Sequence, residues 1–74
     1  MKNAHYFGLT IFYPSDLKRP ADIVITEAIK EKFNLKQDLK ATHIRAIKQG
    51  YGNSVELEYD YSTEKWSAKE IFYA

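Results

Sequence analysis

The chain has no cysteine, and only three glycines and two prolines in 74 residues. Without thiols there is no disulfide, no thiol nucleophile and no cysteine-ligated zinc. A small secreted domain usually carries staples, so the expected compartment is a reducing cytoplasm. Long apolar runs are missing as well, and no window approaches the roughly 20 apolar residues of a membrane-spanning helix. The opening MKNAHYFGLTIFYPS is interrupted by His5, Gly8 and Thr10 and lacks a cleavage pattern, which argues against a signal peptide. An excess of one charge is also absent. Eleven basic residues stand against ten acidic ones, seven against five up to residue 40 and four against five beyond it. There is neither a polybasic tail nor an acidic mimic of nucleic acid, which weighs against a nucleic-acid role.

What is present is apolar and aromatic. Hydrophobic residues make up 45% and aromatics 15% of the chain, too much for a disordered segment. The length fits one domain, residues 1–74, near the lower limit for a self-sufficient core. Association into an oligomer is one way for so small a domain to bury more surface.

The pattern predicts a small α+β domain of order β-α-β-β-β, with one helix packed on an antiparallel sheet. His5 to Tyr13 alternates and is rich in β-branched and aromatic residues, which predicts a strand. Gly8 within it suggests a bulge or a close backbone approach. A loop from Pro14 to Arg19 leads to Pro20, suited to the first helical position. Ala21, Val24, Ile25, Ala28, Ile29 and Phe33 then trace one helical face, with Ile23 off it. The β-branched run Ile23–Thr26 also suits a strand, but the helical spacing continues past it. Asn34 suits a left-handed cap. Leu35 to Ala41 reads as a connector.

Residues 42–74 read as a three-strand antiparallel meander, with the N-terminal strand along one edge. With Gly50–Asn53 as the first loop, Gln49 stands opposite Ser54, Arg45 opposite Glu58 and His43 opposite Asp60. With Ser62–Lys65 as the second loop, Tyr61 stands opposite Trp66, Tyr59 opposite Ala68 and Glu58 opposite Lys69. That register sets Glu70 against Leu57. Either a bulge near Lys69 re-aims the strand, turning Ile71 and Tyr73 inward instead of Phe72, or Glu70 sits at the sheet margin. The predicted core comprises Phe7, Leu9, Ile11, Ile44, Ala46, Val55, Leu57, Tyr59, Tyr61 and Trp66.

Few residues carry recognisable chemistry. His5 and His43 are the two candidates for an acid–base pair, as in a small nuclease, yet both suit ordinary strand positions. Glu56, Glu58 and Asp60 alternate with apolar residues and fit a solvent face better than a metal stripe or a carboxylate pair. Gly50-Tyr51-Gly52-Asn53 lacks the lysine and helix of a phosphate loop, and its glycines suit a turn. No catalytic residue, cofactor or metal is expected.

The leftover residues are aromatic, apolar and basic. Tyr6, Phe12, Ile23 and Ile47 have no predicted core role, and Tyr51 is a large aromatic in a turn. The expected function is therefore non-enzymatic: a module that binds another protein, or a second copy, and acts sterically, like small inhibitors, regulators, antitoxins or mobile-element accessory proteins. Tyr51, Tyr6, Phe12 and Ile47 would make the contact, with Arg45, Lys48 and Lys69 orienting it. The alternative is nucleic-acid binding through the open sheet face and a basic rim that includes Lys18, Arg19, Lys36 and Lys40.

Overall fold

A two-residue turn near the N-terminus sets the faces of the sheet. The computed structural model describes residues 1–50 and 52–72, apart from the side chains of residues 70–72. Lys2–Tyr6 forms β1 and Leu9–Tyr13 forms β2, and they pair antiparallel with Tyr6 opposite Leu9. Phe7 and Gly8 between them have φ of +46° and +80°. Successive positive φ values characterise the type I′ hairpin, whose twist matches that of the flanking strands. The segment predicted as one strand is thus folded on itself at Gly8.

That turn exchanges the faces of its two arms. Leu9, Ile11 and Tyr13 face inward as predicted, but a two-residue turn brings Tyr6 to their side and sends Phe7 away from it. Tyr6 is buried and Phe7 exposed, the reverse of the sequence-based expectation.

The chain continues into α1 (Asp22–Lys32), α2 (Ala41–Gly50), β3 (Ser54–Asp60) and β4 (Lys65–Phe72). The sheet order is β1-β2-β3-β4, and β2 pairs parallel with β3. A parallel pair needs a long crossover, which the two helices supply. The domain is α+β, with a mixed sheet in place of the predicted all-antiparallel one and two helices in place of one.

α1 follows its sequence pattern. Ile25, Ala28 and Ile29 are buried, Ile23 is exposed, and Asn34 lies beyond the helix at φ +57°. Asp22 in the first turn and Lys30 and Lys32 in the last complement the helix dipole. Pro20 precedes the helix instead of opening it.

The stretch predicted as the first meander strand is the helix α2. Its sequence suits both periods: Ile44 and Ala46 fit a strand face, whereas Ile44 and Ile47 fit a helix face. The ends favour the helix. The Lys40 N–H donates to His43 Nδ1 at 2.9 Å, the returning half of a capping box with histidine at the third helical position. At the other end the Gly52 N–H donates to the Ile47 carbonyl at 3.2 Å, with Gly52 at φ +126°. Ile44 and Ile47 are buried, while Ala46, predicted in the core, is exposed. The predicted pairs Arg45–Glu58 and His43–Asp60 therefore do not form.

β3 and β4 form the predicted hairpin with a shifted register. Tyr59, not Tyr61, stands opposite Trp66, and Glu58 stands opposite Ser67. The Asp60 carboxylate accepts from the Ser62 N–H at 2.9 Å and the Ser62 hydroxyl at 2.6 Å, which fixes the turn one residue earlier than predicted. The bulge anticipated near Lys69 is present. Leu57 faces Ala68 and Glu56 faces Glu70, which leaves Lys69 as the extra residue. The expectation for the side chains of Ile71, Phe72 and Tyr73 falls outside the described residues.

Both helices cover one face of the sheet. Tyr6, Leu9, Ile11, Val55 and Leu57 meet Ile25, Ala28 and Ile29 of α1 and Ile44 and Ile47 of α2, with Trp66 packed at the margin. Phe7 and Tyr61, predicted in this core, are 70% and 64% exposed. The other face carries His5, Thr10, Phe12, Glu56, Glu58 and Asp60. Among the described residues no helix is long and apolar enough to cross a membrane.

Candidate functional site

The site begins with the Phe7–Gly8 turn. A bulky aromatic seldom occupies the left-handed region, and doing so costs an L-residue about 1–2 kcal/mol. Asparagine is the usual residue at this position of the turn. Here the ring of Phe7 stands 70% exposed, braced at its base by Tyr6, whose centroid lies 4.8 Å away at an interplanar angle of 86°. Tyr6 is itself fixed, being buried and hydrogen-bonded through its hydroxyl to Thr26 of α1. The exposed ring is therefore held by the core instead of hanging free.

α2 supplies the rest of the surface. Phe7, Ala41, Ile44, Arg45 and Lys48 line a shallow groove of about 340 Å3. Ala41 and the margin of Ile44 form an apolar floor, with Arg45 and Lys48 one helical turn apart on the rim. Lys48 extends over Gly8, so a Cβ at position 8 would collide with its ammonium end. Residues 34–50 carry Lys36, Lys40, Arg45 and Lys48 against Asp38 alone. Because the acidic stripe of β3 lies on the opposite face of the sheet, this cationic surface is spatially separate from it.

No family model, curated protein or solved structure matches this chain.

The structure divides the predicted contact residues. Arg45 and Lys48 come together on α2, beside Phe7. Tyr6 and Ile47, predicted to be exposed, are core residues. Phe12 is half-buried on the far face of the sheet, where the Lys69 Nζ lies 3.4 Å from Glu56 Oε2. Tyr51 lies outside the described residues.

The predicted basic rim is divided too. The Arg19 guanidinium bonds the Asp22 carboxylate at 2.8 Å and the Pro20 and His5 carbonyls at 2.9 and 3.3 Å, tying the start of α1 to the edge strand β1. Lys30 lies 3.8 Å from Glu27, and Lys32 donates to the Lys69 carbonyl on the other edge strand. Cations placed on edge-strand carbonyls oppose further strand addition. Lys18 lies before α1, while exposed Lys36 and Lys40 flank the start of α2.

The two histidines are not brought together. His5 is exposed on the open sheet face, whereas His43 caps α2 on the helical side. Among the described residues no three histidine, aspartate or glutamate side chains converge. The Asp60 carboxyl is held below the usual carboxylate range by its bonds to the Ser62 hydroxyl and N–H, which is a turn-forming role. The Tyr61 phenol is pushed up by desolvation and by its bond to Asp16.

Sequence reasoning missed Phe7. The available signal was Gly8 in the middle of an otherwise uniform strand, which marks a backbone irregularity.

Proposed function

We propose that this chain is a non-enzymatic binding module, with the Phe7 tip and the adjoining cationic face of α2 as its contact surface. The partner is a protein surface with an apolar pocket rimmed by carboxylates. The reading rests on one observation: a large aromatic is held in a costly backbone conformation, exposed and braced by the core, beside two cations. Strain of this kind persists where surrounding structure over-determines it, often at functional positions. Aromatic and arginine side chains dominate binding energy at protein interfaces, and a pre-positioned anchor loses little entropy on docking.

The mechanism is steric and electrostatic. Phe7 enters the apolar pocket, Ala41 and Ile44 close over its edge, and Arg45 and Lys48 meet the acidic rim. The cations guide encounter and orientation more than they add affinity.

A nucleic-acid role has some support from the cationic stretch 34–50. However, Lys36 and Lys40 precede α2, only Lys40, Arg45 and Lys48 lie within it or at its first turn, and the groove floor is apolar. Three phosphate contacts would give a log–log salt slope of about −2.7, with weak binding at ordinary ionic strength.

The test uses a photo-crosslinking residue at position 7 and, as a control, at position 12, combined with the charge reversals Arg45→Glu and Lys48→Glu. Cross-linking to protein from position 7 alone, lost on charge reversal, supports the proposal. Cross-linking that survives both reversals, or that occurs from position 12 instead, contradicts it. Cross-linking to nucleic acid alone replaces it with the other reading.

A further inference from the structure

The chain carries a second exposed apolar groove, of about 290 Å3, between α1 and the β3–β4 turn. Ile23 and Trp66 contribute its main apolar surface, with Val24 and Ala28 beneath. Ile23 is 68% exposed and, with Phe7, is one of the large apolar side chains left in solvent among the described residues. Glu27, Glu31 and Glu64 stand around the groove, with Lys65 ion-paired to Glu31 at 2.9 Å. Counting Lys65, its lining has a formal charge of minus two; the Phe7 groove, lined by Arg45 and Lys48, has plus two.

The topology places these grooves at opposite ends of the molecule. β2 and β3 are parallel, so the β1–β2 turn lies where β3 begins and the β3–β4 turn lies where β3 ends. Phe7 occupies the first turn and Glu64 the second, and both have positive φ. One end thus presents an aromatic knob with two cations, and the other an apolar groove with a net acidic rim.

We propose that the partner surface is a second copy of this chain: the Phe7 end of one copy docks in the Ile23–Trp66 groove of the next. This rests on the binding-module reading and names its occupant. Phe7 seats against Ile23 and Trp66, while Arg45 and Lys48 face Glu27 and Glu64. Donor and acceptor surfaces differ, so the contact is heterologous and head-to-tail, and each added copy leaves one free end of each kind. Both grooves are small and shallow, so association is weak and salt-sensitive.

The experiment is sedimentation equilibrium of the whole chain over a wide dilution series at low and high salt. Wild type is expected to show a mass that rises with concentration at low salt and falls back at high salt. Two variants separate the ends: Arg45→Glu with Lys48→Glu disables the knob, and Glu27→Lys with Glu64→Lys disables the groove. Each is expected to remain monomeric alone. Mixed, they are expected to regain association and to alternate along the array, because the native knob of one meets the native groove of the other and the two charge-reversed ends complement each other; this also shows that both are folded.

Wild type that stays monomeric throughout overturns the second-copy proposal. If position 7 then cross-links to a different protein, the binding-module reading survives without it. Self-association that persists in the knob variant and in Phe7→Asn overturns the second-copy proposal, and with no cross-linking to protein from position 7 it overturns the binding-module reading too. Self-association abolished by the knob variant but untouched by the groove variant overturns only the assignment of the Ile23–Trp66 groove.

Discussion

The rings of Tyr6 and Phe7 meet edge to face, with centroids 4.8 Å apart, although one residue is 4% exposed and the other 70%. Neighbours in a strand point to opposite faces, but these two are split by the start of a turn, which lets the buried ring support the exposed one. The Tyr6 hydroxyl bonds Thr26, and the Thr26 hydroxyl donates to the Asp22 carbonyl at 2.8 Å. The Phe7 turn is thereby coupled to α1 through the core.

Tyr6→Phe tests that coupling. It keeps the ring and removes one hydrogen bond, while Thr26 retains Asp22, so no hydroxyl is orphaned. The expected cost is about 1 kcal/mol in urea denaturation, with Phe7-dependent binding retained. Full loss of binding with unchanged stability would show that Tyr6 acts directly, not as a support.

Ser54 tests the interior. Its side chain is 1% exposed, and its Oγ has no hydrogen-bond partner among the described residues. A buried unpaired hydroxyl carries a desolvation penalty that alanine lacks. Ser54→Ala is expected to leave stability unchanged or raise it by up to about 1 kcal/mol. A clear loss in thermal denaturation would mean that the hydroxyl is bonded.

Gly52 closes α2 from a backbone conformation at φ +126°, a region open essentially to glycine. Gly52→Ala is expected to cost about 1–3 kcal/mol, measurable as a lower urea midpoint. Equal stability would show that the end of α2 relaxes without strain.

Asp60 governs the β3–β4 turn through its bonds to Ser62. Its folded pKa is lowered, so its stabilising effect is present above the unfolded value of about 3.9 and is lost as pH falls through the folded value. Carboxyl NMR shifts should place its midpoint below that of an ordinary aspartate, and Ser62→Ala should move it upward. An unchanged midpoint in Ser62→Ala would remove the hydroxyl as the main cause.

The legible parts of the fold are those where one period outlasted its competitor or where separate signals agreed. α1, its exposed Ile23 and the left-handed Asn34 were readable because spacing and caps agreed; the β3–β4 hairpin was readable but not its register, and the bulge at Lys69 was one of two readings of Glu70. Thr42–Gln49 was not, since Ile44 with Ala46 satisfies a strand and Ile44 with Ile47 a helix. The deciding features were the His43 cap and the Gly52 closure, both outside the hydrophobic pattern. The first hairpin was hidden because Phe7 is a poor turn former. Of the candidate site, Arg45 and Lys48 were expected among the contact residues, although Arg45 was also expected to pair with Glu58; their neighbour Phe7 was expected in the core, because a two-residue turn reverses every face assignment before it.

The most direct test of the account is Phe7→Asn, assayed for stability and association on the same samples. Asparagine suits the left-handed position before Gly8, so the urea midpoint is expected to hold or rise, by up to about 1 kcal/mol. Concentration-dependent association should be lost by about tenfold or more, the effect of removing an aromatic anchor. A lower midpoint with undiminished association would contradict the account, since Phe7 would then serve the fold and not the contact.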